Sequence, residues 1–507
     1  MRLERSLNTK RNIIAGEIDK IVGIICPFIV RTLIIKIIGI DYLGLTSHYY
    51  SILQMLNLVE MGFGTALVYS MYAPIAQNRD DAINALIQFY KKIYRILGLI
   101  VILLGIAFTP FLRMTIKGDV PSDINIHYLY LIYLLNAVVQ YYVFPERKAL
   151  LSAFQKDSVT SIYHAVTQLF MYILQAVFVV FSKDYYLYAL MLPVSSLIYS
   201  IIVGLKVGRM YPQYKGKGKI SGEELAGIKK QTIGLLIRKI AMLSRNSFDA
   251  FFVSLFLGLH MSAIYANYYY IMDSVIVLLA VVKTSMAGGV GNSVAMETKE
   301  KNLADMNKIN FLFMWLSGWC GVCLLCLYRP FMLLWVGKEM TLGFGITVMF
   351  ALYFYILKMS DIRTLYSEAA GIWWQARYIS VLEGITNLVL NIILTSFMGL
   401  YGIILATMIS YLVFNFGGGA FILFGAYFSN GRLSSYMLSH LKYLIVFIIA
   451  SAVTYSASYL VPYDGILGLL ITGLLCLVIP NIVYFVVMRK DENFTHGIEL
   501  IKRLVKR

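Results

Sequence analysis

From residue 12 to residue 488 the chain is a succession of long apolar runs separated by short polar connections. The runs fall near 12–38, 43–72, 93–112, 125–144, 159–182, 185–205, 231–257, 262–290, 309–335, 343–370, 378–398, 400–427, 441–460 and 464–488. A helix crosses the hydrocarbon core with roughly 20 mostly apolar residues. The pattern therefore predicts an all-α integral membrane protein with about 14 transmembrane helices. The run from Ile13 to Ile40 is too long for the apolar core of a signal peptide, and no A-x-A site follows it. It is expected to be the first span.

Composition agrees with the pattern: 59% of the 507 residues are hydrophobic, only 14% are charged, and mean hydropathy is +0.72. Soluble domains carry about a quarter charged residues. The net charge of +17 would suggest nucleic acid in a soluble protein. Here the distribution of the charges gives it another meaning. With the N-terminus inside, the loops and tails of that side hold 31 Lys and Arg, among them Arg147 and Arg363. The opposite side holds five: Arg113, Lys117, Lys183, Arg329 and Lys338. Such asymmetry sets orientation and places both termini in the cytoplasm. The excess is topological, adds contact with anionic lipids, and implies no nucleic-acid partner. The tail from Ile498 to Arg507 alternates apolar and basic residues, as an interfacial helix or a positive stop signal would.

The chain also resembles itself. Residues 38–52 lie over residues 257–271 at an offset of 219, with Gly39/Gly258, Tyr49/Tyr268, Tyr50/Tyr269 and Ile52/Ile271 identical. A weaker match sets Gln155 to Ser158 over Gln375 to Tyr378 at offset 220. Two matches at nearly one offset point to duplication. They predict an N-terminal lobe at 1–205 (spans one to six), a basic cytoplasmic linker at 206–230 and a C-terminal lobe at 231–427 (spans seven to twelve). Spans thirteen and fourteen follow at 428–488, and a basic amphipathic tail at 489–507. Six helices per lobe give a parallel repeat, in which a substrate site is expected between the lobes near the midplane.

Eight basic residues fall inside spans: Lys20, Arg31, Lys36, Arg238, Lys239, Arg245, Lys283 and Lys358. Each costs ~2.5–3.5 kcal/mol at the centre of a lipid-facing helix on insertion scales. Lys20, Lys36 and Lys239 are near enough to a span end to snorkel. The others are expected to face a water-accessible cavity, so Arg31, Arg238, Arg245, Lys283 and Lys358 are the candidate binding residues for an anionic substrate. Acidic and polar groups at depth are fewer. Asp249 stands four residues after Arg245 and is placed to pair with it, and Asp273 is the nearer carboxylate on the helix of Lys283. Asp361 lies near the inner end of span ten. Asp249, Asp273, Glu60, Glu383 and Asn387 are the candidate polar or ion-coupling positions. Glu383, Asn387 and Asn391 form a stripe on span eleven, and His164, Gln168 and Gln175 form one on span five. Interhelical hydrogen bonds are one reading of both stripes, and sugar hydroxyls are the other. The 38 tyrosines fit interfacial belts.

Cys320, Cys323 and Cys326 spell C-x-x-C-x-x-C, but the fourth ligand position of an iron–sulfur motif is Pro330. Gly288-Gly289-Val290-Gly291 lacks the Lys-Ser or Lys-Thr of a phosphate loop. There is no nucleophile–base–acid set and no zinc motif, so neither an enzyme activity nor a metal or other cofactor is expected.

Gly62-Phe63-Gly64-Thr65-Ala66-Leu67, Tyr72-Ala73-Pro74-Ile75-Ala76 and Phe89-Tyr90-Lys91-Lys92-Ile93-Tyr94 resemble the polysaccharide-transporter family of Wzx-type flippases. So do Asn267-Tyr268-Tyr269 and the stretch from Glu368 to Tyr378. The resemblance spans essentially the whole chain. It implies the fold of the multidrug, oligosaccharidyl-lipid and polysaccharide exporter superfamily. It also implies transfer of undecaprenyl-pyrophosphate-linked oligosaccharide units from the inner to the outer leaflet of a bacterial cytoplasmic membrane. A polysaccharide polymerase and glycosyltransferases are the protein partners such a role implies. A cation-coupled multidrug exporter of the same fold, a lipid II flippase and a membrane scaffold for envelope assembly are the rival readings. A drug exporter would want buried carboxylates rather than buried cations.

Overall fold

In the computed structural model the described residues are 2–57, 63–218, 222, 248–372, 375–428, 432–461, 465–495 and 497. Among them every regular element is helical. The chain divides into two compact units, Met1–Ala263 and Ile264–Arg507.

The first unit holds α1 (Arg2–Ile37), α2 (Ile40–Leu56), α3 (Phe63–Ala76), α4 (Asp80–Phe108), α5 (Ile126–Tyr142), α6 (Pro145–Ala153), α7 (Asp157–Val177), α8 (Tyr185–Met210) and α9 (Asp249–Leu257). α1 packs along α7, α8 receives both α5 and α7, and α4 lies on α5. Polar caps fix where two of these helices begin. The Asn125 side chain accepts from the backbone N–H of His127 at 3.0 Å and Tyr128 at 3.2 Å, and Asp184 does the same for Tyr186 at 2.7 Å. Each cap satisfies donors that the first turn cannot, and contributes about 1 kcal/mol.

α10 (Leu259–Met296) starts in the first unit and continues into the second. There follow α11 (Lys299–Trp335), α12 (Phe344–Lys358), α13 (Asp361–Ala369), α14 (Arg377–Met398) and α15 (Leu400–Ser410). The α15 span runs on through a π stretch (Tyr411–Gly418), α16 (Gly419–Leu423) and a second π stretch (Phe424–Phe428). α17 (Leu433–Tyr459) and α18 (Gly465–Met488) complete the unit. α11 is its hub, packing on α12, α17 and α18.

Ten described helices or helical runs are long and apolar enough to cross a membrane, or eleven with α5 and α6 taken as one span bent by 54°. They coincide with eleven of the fourteen expected spans, and the chain is a multi-pass membrane protein. The three not counted are the first, second and seventh. α1 carries Lys20, Arg31 and Lys36 within its last eighteen residues, and its own charges disqualify it. Residues 58–62 of the second span and residues 231–247 of the seventh lie outside the described residues.

Several helix starts recur at the spacing of the sequence match. They fall at Ile40 and Leu259 and at Asp80 and Lys299 (219 apart), at Ile126 and Phe344 (218), and at Asp157 and Arg377 (220). Gly39 and Gly258 stand immediately before α2 and α10 with φ of 135° and 90°, a region that side-chain-bearing residues rarely enter. Tyr49 Oη donates to the carbonyl of Ile126 at 2.9 Å, at the start of α5. Its counterpart Tyr268 accepts from the Leu342 N–H at 2.9 Å, just before α12. The spans that begin at Ile126 and Phe344 are each interrupted by two residues outside regular helix, 143–144 and 359–360, the first bending by 54° there and the second by less. The short helices α6 and α13 both have nine residues and begin 216 residues apart. Each is followed by a residue at positive φ, Gln155 (58°) and Gly371 (70°).

Many tyrosines belong to the core rather than to interfacial belts. Tyr49, Tyr130, Tyr133, Tyr185, Tyr268 and Tyr328 are fully buried. A buried phenol keeps its ring in apolar contact and its hydroxyl on a partner. Thr46 shows this by bonding both Tyr133, at 2.9 Å, and Tyr185.

The first part of the expected linker is docked rather than loose. Tyr214 Oη donates to Asp80 at 2.7 Å, Gly216 N–H to Asn84 Oδ1 at 3.0 Å, and Arg147 Nη1 to the Tyr214 carbonyl at 3.1 Å. Burial and the Asp80 carboxylate push the Tyr214 hydroxyl up to about 12.

Candidate functional site

Discontinuous helices at corresponding positions of two repeats mark binding sites in transporters, because the break frees backbone and side chains in the protein interior. The break between α12 and α13 gathers the charges of the second unit. Lys358 closes α12, and Asp361 opens α13, where unpaired N–H groups and the helix dipole favour a carboxylate. Lys358 Nζ donates to Asp361 Oδ2 at 2.9 Å, and Lys283 Nζ, from α10, donates to Oδ1 at 3.0 Å. The Lys358 side chain is 6% exposed and Asp361 16%. Two candidate cations are thus brought onto one carboxylate. Asp273 lies within electrostatic reach of Lys358. The partner of Lys283 is Asp361 on another helix, not Asp273 ten residues back on its own.

Two residues beyond Asp361 is Arg363, counted from the sequence among the inner-side charges and buried in the fold at 6% exposure. Its guanidinium lies over Gly419, where a Cβ would come within 2.5 Å of Nη1. Nη2 donates to Asn415 Oδ1 at 3.1 Å, and Asn415 Nδ2 donates to Glu383 Oε2 at 3.1 Å. Asn415 sits in the first π stretch, the kind of local widening often found at functional positions. Arg363 Nε is buried with no hydrogen-bond partner.

The equivalent residue of α6 is Arg147, 216 positions earlier, and its Nε is buried and unpartnered as well. Beside it Glu146 is 4% exposed, with Oε2 buried and unpartnered. Neither arginine nor Glu146 was singled out from the sequence. The recurrence of Arg147/Arg363 and Ala153/Ala369 at offset 216 was the signal available for them.

The remaining candidates are dispersed. Arg31, half-buried in α1, lies within electrostatic reach of the Tyr50 and Tyr188 hydroxyls. Asp249 is buried at the start of α9. Glu60, Arg238 and Arg245 lie outside the described residues, and the expected Arg245–Asp249 pair with them. The polar stripes face neighbouring helices. Asn387 Nδ2 donates to Thr407 Oγ1 at 2.9 Å and Asn391 Nδ2 to Asn387 Oδ1 at 3.3 Å, joining α14 to α15. His164 meets Asp19 of α1 at 2.7 Å, and Gln175 donates to the Tyr188 carbonyl at 3.1 Å.

Lys283, Lys358 and Arg363 are set against Asp273, Asp361 and Glu383 in the second unit. Its described interior therefore shows no surplus of cations; the surplus read from the sequence rests on Arg31 and on residues outside the description. Among the described residues no cluster of three or more His, Cys, Asp or Glu could hold a metal ion.

No curated protein matches the sequence. In fold the chain is similar to the lipid II flippase MurJ in an inward closed conformation, at 15% identity and a TM-score of 0.67. That likeness covers 94% of this chain and 98% of the other. It is similar also to an inward-facing multidrug resistance MATE family transporter of the MOP superfamily (12% identity, TM-score 0.60, 84% and 99% covered). A MATE transporter of Vibrio cholerae, VcmN, gives 14% identity, a TM-score of 0.55, and 85% and 99% coverage. Residues 10–286, more than half of the sequence, match the family described as polysaccharide biosynthesis protein, and the chain belongs to that family.

Proposed function

We propose that the protein is a flippase of the bacterial cytoplasmic membrane, with both termini in the cytoplasm. Its cargo is an undecaprenyl-pyrophosphate-linked oligosaccharide repeat unit, carried from the inner to the outer leaflet for surface polysaccharide synthesis. Family membership supports the sugar cargo, and the fold shared with a lipid II flippase supports a lipid-linked one. The observation that carries the mechanism is the Lys283–Asp361–Lys358 triad. One buried carboxylate holds two ammonium groups from different helices, and both are donors that an arriving anion can recruit. A pyrophosphate offers more oxygens and more charge than Asp361, so it competes for both lysines. Transfer of Lys283 from Asp361 to the cargo releases α10 from α13. That gives the cargo the differential affinity for two states which alternating access requires.

A cation-coupled multidrug exporter is the second reading, favoured by the MATE neighbours. It fits the triad less well, since Asp361 is already neutralised by two lysines and offers little to a cationic drug. Anionic lipids, a polysaccharide polymerase and glycosyltransferases are the partners that accompany the first reading.

The test is export. Lys283→Ala keeps Asp361 paired with Lys358, so the variant is expected at normal membrane levels with surface polysaccharide reduced at least tenfold. Arg31→Ala is expected to do likewise. Lipid-linked oligosaccharide should accumulate on the cytoplasmic face in both. Normal export from both variants sinks the proposal, and cationic-drug efflux lost with export intact favours the exporter reading.

A further inference from the structure

The connection between α5 and α6 holds a conformation that needs support. Phe144 stands at φ 54° and ψ 40°, directly before Pro145, the first residue of α6. A bulky residue in the left-handed region is strained, and persists only where its surroundings over-determine it. The two helices are bent by 54° at this point.

Two supports are visible. One is the seat of the Phe144 ring on Gly204 of α8, where a Cβ would overlap it. The other is the segment 211–218 that follows α8 and crosses α6 from end to end. At the start of α6, Arg147 Nη1 donates to the Tyr214 carbonyl at 3.1 Å. Beyond its end, Phe154 stacks on Tyr211 with ring centroids 4.6 Å apart, and Lys156 lies over the same ring. The segment is also fastened to the first two turns of α4. Tyr214 Oη donates to Asp80 at 2.7 Å, Gly216 N–H to Asn84 Oδ1 at 3.0 Å, and Asn84 Nδ2 to the Gln213 carbonyl at 3.3 Å. Gly216 takes φ of 73°, and a Cβ there would press on Ile87 at 2.9 Å. The result is a strap that ties both ends of α6 to α4.

The second unit supplies the contrast. The span of α12 and α13 is interrupted at the corresponding place but bends less. Its two connecting residues, Met359 and Ser360, have φ of −58° and −96°, which any residue adopts. Leu433, 219 positions after Tyr214, is the first residue of α17, so a helix begins where the strap would lie. Among the described residues, strap and sharp bend occur together in one unit, and neither recurs in the other.

We infer that residues 211–218 are a latch over a strained hinge at Phe144, and that releasing the latch lets α5 and α6 straighten. α6 carries Arg147 and Glu146, the latter 4% exposed with Oε2 unpartnered, so the hinge moves a buried carboxylate and the guanidinium beside it. The latch is also the first part of the expected linker. Movement of the linker therefore reaches α6 through the Arg147 hydrogen bond and the Tyr211 ring stack.

The test reads the bend directly. In the full-length protein in liposomes, p-acetylphenylalanine bearing a nitroxide replaces Tyr128 and Gln155, both exposed and near the two ends of the bent span. Pulsed EPR measures their separation. With helices of 17 and 9 residues, straightening lengthens it by about 2–4 Å. Tyr214→Ala and Gly216→Val, which free the strap by different routes, are each expected to give that longer distance. Tyr214→Phe, which removes only the Asp80 bond, serves should the larger changes disturb folding, with monodispersity as the control. A Cβ at position 218 stands 3.4 Å from the Ala85 Cβ, within reach of a disulfide. The pair Ala85→Cys and Gly218→Cys, oxidised and confirmed by peptide mapping, is expected to restore the short distance in Tyr214→Ala, and dithiothreitol to release it again. An unchanged separation in variants that no longer form the 85–218 crosslink overturns the inference. So does undiminished crosslinking in Tyr214→Ala and Gly216→Val, since the named contacts then do not hold the strap.

Discussion

Lys283 on α10 and Asp361 at the start of α13 meet at 3.0 Å across 78 residues of chain, while Lys358 holds the other carboxylate oxygen at 2.9 Å. The arrangement is asymmetric: either lysine is backed by the other, whereas both share the one carboxylate of Asp361. Breaking a buried pair from its shared side costs about 3–5 kcal/mol. Asp361→Asn is therefore expected to lower the thermal midpoint and membrane yield sharply. Lys283→Ala and Lys358→Ala should each have less than half that effect. Equal losses for all three variants, in a fluorescence thermal-shift series, would count against a shared carboxylate.

Arg363 depends on a glycine. A methyl group at position 419 enters the space of its guanidinium. Gly419→Ala is expected to destabilise by about 1–3 kcal/mol, as overpacking does, and to displace Arg363 from Asn415. Arg363→Ala in that background should recover part of the loss, since the obstructing group is then gone. Additive losses in the double variant would refute the contact.

The polar stripe of α14 makes a modest claim on stability. Interhelical hydrogen bonds in membranes average about 0.6 kcal/mol and reach about 1.7. A double-mutant cycle of Asn387→Ala and Thr407→Ala should give a coupling in that range. A coupling of zero would mean that sugar contact, not helix association, explains the stripe.

The repeat predicts matched behaviour at matched positions. Gly39→Ala and Gly258→Ala both force a methyl-bearing residue to positive φ, at about 1–2 kcal/mol each. Both should lower the thermal midpoint, Gly258→Ala the more, because a Cβ there also meets the Lys117 carbonyl at 2.9 Å whereas at Gly39 it meets only the Tyr42 ring at 3.7 Å. An effect at only one of the two would show that the two connections are not equivalent.

Orientation is tested by reporters. Alkaline phosphatase joined after Arg507 should be inactive, whereas insertion beside Lys338 should be active. The opposite pattern would invert the topology drawn from the basic residues.

Much of this organisation was legible in one sequence because the bilayer imposes a length and a polarity on every span. Eleven expected runs reappear as helices, and the matched Gly39 and Gly258 both stand before a helix at positive φ. What escaped was the interior of the broken spans. Arg147 and Arg363 lie near polar connections and read as topological charges; only tertiary packing buries them. The partner of Lys283 escaped for a related reason. Helical periodicity relates residues three or four apart on one helix, but the choice between Asp273 and Asp361 belongs to contact between helices. The tyrosines were misjudged because composition cannot distinguish a belt from a core.

The span from Leu400 to Phe428 passes through two π stretches, and Asn415 occupies the first. A π bulge holds one residue more than the α-helical turn it replaces. The stretch thus behaves as an absorbed insertion, and everything beyond it is rotated by about 100° from where an uninterrupted α-helix would carry it. Deleting one residue there would straighten the helix, turn the following face away from α13, and separate Gly419 from the guanidinium it accommodates. The match between this span and Arg363 is set by residue count as much as by residue type, and a frame-preserving deletion can undo it while every functional side chain stays in the chain.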